Sequence, residues 1–192
     1  MLIQILLFVL DTVCGFFTLA LLVRFAMQWA RTPFRNPLGQ FIVAVTDWMV
    51  RPLRRLIPGL FGLDMASLLL AWLWQVVYQG IALGLSGVLI AVSPAPTFVV
   101  AALALLEVAK ISLYLVMGAV LVSAVFSWVN PHAPLAEVFN TLTRPLLRPF
   151  RRVIPPIGGV DLSPLALLLL LQIALFVVAS LRNNVLPLML LS

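Results

Sequence analysis

The chain has 192 residues, of which 64% are hydrophobic and only 9% charged, with a mean hydropathy of +1.18. A soluble domain carries roughly 25% charged residues, so composition excludes an ordinary soluble fold and identifies an integral membrane protein. The net charge of +6 does not point to nucleic acid, because the basic residues abut apolar runs instead of forming a solvated basic face.

In chain order, the first element is an apolar run at 2–29, longer than the roughly 20 residues that cross a bilayer. It lacks a basic start and a small-residue cleavage site, so it is expected to be a retained span, not a signal peptide. Backbone groups in lipid must be satisfied internally, which makes this run and the later ones helices. A basic linker follows, in which Leu38, Phe41, Ile42, Val45 and Met49 keep helical spacing. The pattern predicts an interfacial helix at about 37–50, opened by Pro37. A second span is predicted at about 65–92, then a short uncharged turn at 92–97, then a third span at about 97–129. The second basic linker repeats the amphipathic pattern with Leu135, Val138, Phe139, Leu142 and Leu146. It predicts an interfacial helix at about 134–147. Both linker helices are expected to stop by Arg51 and Arg148, since a following proline disfavours α geometry. A fourth span is predicted at about 163–181 or longer.

Ten of the 12 basic residues lie in two clusters: Arg24, Arg31, Arg35, Arg51, Arg54 and Arg55, then Arg144, Arg148, Arg151 and Arg152. Four crossings put both clusters on one side. The positive-inside bias makes that side the cytoplasm, with both termini outside. Arginine faces are expected to meet anionic headgroups.

The chain also repeats itself. At a shift of 97, Arg51, Arg54, Arg55, Asp64 and Gln75 meet Arg148, Arg151, Arg152, Asp161 and Gln172, and Trp29 meets Trp128 at a shift of 99. The expected fold is therefore all-α, with four transmembrane helices in two tandem repeats, 1–92 and 97–192. With two crossings per copy, the repeats run in parallel orientation.

The string TRPLLRPFRRVIPPIGGVDLSP at 143–164, the later Gln172 and the preceding SWVNPHAP at 127–134 resemble the YggT family, also called YlmG, of small bacterial membrane proteins with relatives in plastids. The resemblance covers both halves. The first copy departs from the pattern at Trp48, which replaces a proline, and at Leu60–Phe61, which interrupt the glycines. In the second, Arg144 stands where an acid is expected. The resemblance implies a multi-pass protein of the bacterial inner membrane. It also implies links to osmotic or ionic tolerance and to cell division and, through plastid relatives, to cytochrome-complex assembly and nucleoid organisation. It carries no catalytic residue with it.

Several polar residues remain as candidates. Asp64 and Asp161 precede apolar helices and are read as N-terminal caps with an arginine as second partner; Ser163, followed by Pro164, is an alternative cap, and an acidic ion ligand is the sharper alternative. The basic motif Arg51, Arg54, Arg55, Arg148, Arg151 and Arg152 is read as setting topology and meeting headgroups. A docking surface for a cytoplasmic or membrane protein and a polyvalent anion site stay open. Charges within spans are functional hypotheses by default. Glu107 and Lys110 are three residues apart and can pair. Asp11 and Lys110 each lie 18 residues before a matched tryptophan, about 27 Å away along a helix, which suggests an interhelical contact, either a structural pair or part of a polar path. Gln75 and Gln172 are read as interhelical hydrogen-bonders, or as lining a shared polar cavity. Cys14 and His132 are the only residues of their types, so no disulfide, metal cage or haem ligand set is expected. No cofactor, no metal and no enzymatic activity are expected. A scaffold or assembly factor and a small channel or transporter are the two functions in view; oligomers are compatible with both.

Overall fold

The computed structural model describes residues 1–57, 59, 63–85, 95–154 and 161–185. These form six helices: α1 (Leu2–Trp29), α2 (Pro37–Leu56), α3 (Met65–Leu85), α4 (Ala95–Val129), α5 (Pro134–Val153) and α6 (Ser163–Val185). Among the described residues there is no strand, so the fold is all-α. Four helices are long and apolar enough to cross a membrane: α1, α3, Thr97–Ser127 within α4, and α6.

Several ends differ from expectation. α2 runs through Pro52, and α5 through Pro145 and Pro149, each ending five residues past the expected stop at Arg51 or Arg148. These prolines are exposed. The carbonyl that loses its partner therefore lies away from the packed face, where other groups can satisfy it. α4 starts at Ala95 and α6 continues through Asn183–Asn184. The expected end of the second span near Val92, residues 92–94 of the 92–97 turn and the glycines at 158–159 lie outside the described residues.

The spans bury apolar clusters and also turn apolar side chains outward. α1 packs on α3, α4 on α6, and α3 on α4. The spans turn Phe8, Phe98, Leu169 and Phe176 outward. Small residues lie at the helix contacts: Ala20, Ala66, Ser67, Ala71, Ala104 and Ala119 are buried. In lipid, apolar burial gives helices no reason to associate, so small side chains that let backbones approach take over that role. α2 closes one end of the first helix pair with Met49 and Val50, against Leu21, Leu22 and Ala66. α5 does the same for the second pair with Leu147, against Val120, Leu167 and Leu171. α5 also reaches α1, where Val138 and Leu142 bury Met27, so the two halves share a core at this end.

The start of α2 is tightly built. Asn36 is its N-cap, and its Oδ1 accepts from the Gly39 amide at 2.8 Å. A Cβ at Gly39 would stand 2.8 Å from the Phe34 backbone, so only glycine fits there without displacing the turn.

Candidate functional site

The main polar centre forms where α1, α2 and the start of α3 meet. Arg24, near the end of α1, is buried. Its Nη1 donates to Thr46 Oγ1 at 2.8 Å and its Nη2 to Asp47 Oδ1 at 2.9 Å, and its Nε lies 3.4 Å from Asp64 Oδ2. Asp64 is the hub. It accepts from Arg54 Nε at 3.1 Å, from Arg54 Nη2, and from Ser67 Oγ at 2.7 Å. Arg51 Nε pairs with Asp47 Oδ2 at 2.7 Å, one turn along α2. Three guanidiniums thus share two carboxylates. Burial alone pushes the Asp64 carboxyl up, but the bonds from Arg54 and Ser67 and the charges of Arg54 and Arg24 outweigh it. The group ends below its ordinary value. The same bond to Asp64 raises Arg54 further.

The matched region of the second half is looser. Arg151 Nε donates to Asp161 Oδ2 at 2.8 Å, as Arg54 does to Asp64, but here both side chains are exposed. Asp161 Oδ1 accepts the amide of Ser163, the first residue of α6, at 2.9 Å. Burial raises this carboxyl, the Ser163 and Arg151 hydrogen bonds lower it more, and the net direction is down. Ser123 stands 99 residues after Arg24. It donates to Asn140 Oδ1 at 2.6 Å, and Thr143, matched to Thr46, lies 3.5 Å away. Arg144, matched to Asp47, is exposed.

The remaining candidates divide. Gln75 is buried and its Nε2 donates to Thr18 Oγ1 at 3.0 Å; its Oε1 has no partner among the described residues. Gln172 is exposed, and its Nε2 contacts Met117 Sδ at 3.8 Å. Met117 stands 99 residues after Thr18, so the two glutamines reach matched positions on the neighbouring helix. Lys110 pairs with Glu107, as its spacing allows, and Arg182 of α6 adds a second cation to Glu107 at 3.2 Å. Among the described residues no salt bridge joins Asp11 to Lys110; the polar neighbour of Asp11 is Tyr78 of α3. His132 is exposed beside Glu137 and Asn140 in an open pocket. Among the described residues no group of three His, Cys, Asp or Glu side chains is placed to hold a metal.

Sequence reasoning placed Arg24 on the basic face and passed over Thr46, Asp47 and Arg182. A signal was present for two of these positions. Arg24 and Asp47 change together between the halves, to Ser123 and Arg144, as expected when one buried charge exists to neutralise another.

Four spans, two basic linker helices and charges gathered at the helix ends define a multi-pass membrane protein. The CCB3/YggT family model matches residues 3–85 and 102–182. The chain is 40% identical over 167 residues to the uncharacterized protein YggT of Escherichia coli K12, covering 86% of this chain and 85% of that one. It is 39% identical over 175 residues to an uncharacterized protein of Pseudomonas aeruginosa (86% and 84% covered). It is 37% identical over 170 residues to an uncharacterized protein of Vibrio alginolyticus (88% and 90% covered). The chain belongs to the YggT family. No solved structure matches it.

Proposed function

We propose that this chain is a non-enzymatic scaffold or assembly factor of the inner membrane, built from two parallel repeats whose arginine-rich linker helices lie at the cytoplasmic face. Both termini are outside in this reading, and the face receives a protein partner. The observation that carries it is the division of the arginines. Arg24 is consumed inside the chain by Asp47 and Asp64, and Arg54 by Asp64. Arg31, Arg35, Arg55, Arg144, Arg148 and Arg152 are exposed, with no acidic partner among the described residues. A chain of so few charges keeps an unneutralised cationic surface at one end, which suits an anionic membrane face and an acidic partner. The duplicated reading is supported by matched contacts: Arg54–Asp64 with Arg151–Asp161, Gln75–Thr18 with Gln172–Met117, and Arg24–Thr46 with Ser123–Thr143. The links to osmotic tolerance, division or cytochrome assembly that family resemblance implies would act through such a partner.

Photocrosslinking from exposed positions of α2 and α5 in native membranes tests this. Discrete protein adducts are expected, reduced by Arg55→Gln and Arg152→Gln. The alternative, a small channel or transporter, makes the opposite demand. Selective ion flux by purified protein in liposomes under a salt gradient, with no adduct in membranes, would overturn the scaffold reading.

A further inference from the structure

An open cleft of about 770 Å³ lies between the end of α1 and α5, lined by Trp29, Arg31, Arg144, Arg148, Arg151 and Arg152 among others. Among the described residues only Arg151 of these has an acidic partner, Asp161; the nearest acid on α5 itself is Glu137, nearly two turns before Arg144. Arg144, Arg148 and Arg152 follow one another at i, i+4, a like-charge stripe that works against its own helix. Arg31 adds a second cost. It is a non-glycine residue at φ 55, in the left-handed region where a Cβ crowds the backbone. Its amide bonds Gln28 O at 3.0 Å and the Thr32 amide bonds Met27 O at 2.8 Å. This is a turn that ordinarily carries glycine at Arg31's position. Here the position carries a guanidinium at the rim of the cleft instead.

Trp29 lines a second cavity as well, of about 210 Å³ and almost wholly apolar, with Leu22, Ala26, Leu115, Leu142 and Leu146 among its walls. α5 divides the two spaces: Thr141, Arg144 and Arg148 face the cleft, while Leu142 and Leu146 face the apolar cavity. Charge in one space and hydrocarbon in the next, joined at a tryptophan, is the shape of an amphiphile.

We propose that this is a binding site for an anionic phospholipid whose headgroup carries more than one negative charge, a phosphate monoester or a pair of phosphodiesters. The phosphate lies among Arg31, Arg144, Arg148 and Arg152, and an acyl chain enters the cavity beyond Trp29. Guanidinium forks match phosphate oxygens two at a time, and a multiply charged headgroup neutralises a stripe that a single phosphodiester would leave cationic. The proposal deepens the reading of a basic membrane-side face and rests on that placement.

The test is native mass spectrometry of the purified full chain, released from vesicles of phosphatidylcholine mixed with phosphatidic acid, diphosphatidylglycerol or phosphatidylglycerol at matched surface charge. One equivalent of phosphatidic acid or diphosphatidylglycerol should be retained over phosphatidylglycerol. Arg148→Gln and Arg31→Gly should each weaken retention about fivefold. Arg31→Gly relieves the left-handed turn, so its loss of lipid cannot be blamed on misfolding. Equal retention of all three anionic lipids, or full retention by both variants, overturns the proposal. Binding of glycerol phosphate or pyrophosphate as tightly as lipid overturns it in favour of a soluble anion. Retained lipid without any protein adduct in membranes would end the scaffold reading alone; adducts without retained lipid would end this one alone.

Discussion

Asp64 and Asp161 occupy matched positions and each accepts an arginine, so the same substitution, aspartate to asparagine, isolates the effect of burial. At Asp64 the carboxylate side chain is 1% exposed and its partner Arg24 5%. Removing one member of a buried pair leaves the other charge uncompensated and typically costs about 3–5 kcal/mol. Two features pull Asp64→Asn to the low end. Arg24 keeps Asp47 at 2.9 Å, and Arg54, at 44% exposed, can turn to solvent. The expected loss is about 3 kcal/mol. At Asp161 the two side chains are 40% and 52% exposed, where solvent screening reduces a pair to about 0–1 kcal/mol, and asparagine caps a helix as well as aspartate does. Reversible unfolding in mixed micelles, followed by tryptophan fluorescence, should therefore separate the variants by about 2–3 kcal/mol. Added salt should shrink the Asp161 effect and leave the Asp64 effect largely intact. Equal losses at the two sites would refute the argument, because they would mean that Asp64 is as hydrated as Asp161.

The pH dependence follows from the same groups. Both carboxyls lie below their ordinary value when folded, so their contribution is fully present above the unfolded value of about 3.9 and is lost as pH falls from there through the lower folded value; Asp64→Asn should flatten that acid limb in a stability-against-pH titration. Asp47→Arg, which copies the second half, should be more damaging than Asp64→Asn because it places a cation against buried Arg24; adding Arg24→Ser should restore at least about 1 kcal/mol in a double-mutant cycle, and strict additivity would count against the coupling. Gln75→Met should change stability by less than about 1 kcal/mol. It gives up an interhelical bond worth about 0.6 kcal/mol but also removes the unpartnered Oε1, and a thermal-shift loss comparable to that of Asp64→Asn would show that Gln75 has a partner of another kind.

The spans were legible because the information is local. A run such as 2–29 carries its length and hydropathy in itself, and α1 ends at Trp29 where the apolar run does. The linker helices were legible in their starts and not in their ends. Pro37 and Pro134 open α2 and α5, but the stop expected before Pro52 and Pro149 rests on a local preference that the helices override by turning those prolines outward. The polar centre was the least legible. An arginine near the end of a span reads as a topology signal, and nothing within a turn of Arg24 shows that acids from 23 and 40 residues later will enclose it. Arg182 reached Glu107 across 75 residues of chain in the same way. The Asp161 contact with Ser163, by contrast, joins residues two apart and is local.

The two halves use one motif for different ends, and the difference follows from a single exchange. In the first half a cation enters the core with Arg24, so acids must follow it, and Asp47 and Asp64 leave Arg54 with its charge spent. In the second half Ser123 brings no charge inside, so position 144 is released from supplying an acid and carries an arginine instead. That arginine begins the stripe continued by Arg148 and Arg152 and lines the cleft beside Arg31. Neutralising the interior of one half and charging the surface of the other are two consequences of the same substitution pattern. A chain that keeps one half as a structural anchor can leave the other free to present charge, and the cleft beside Arg31 is lined by α5.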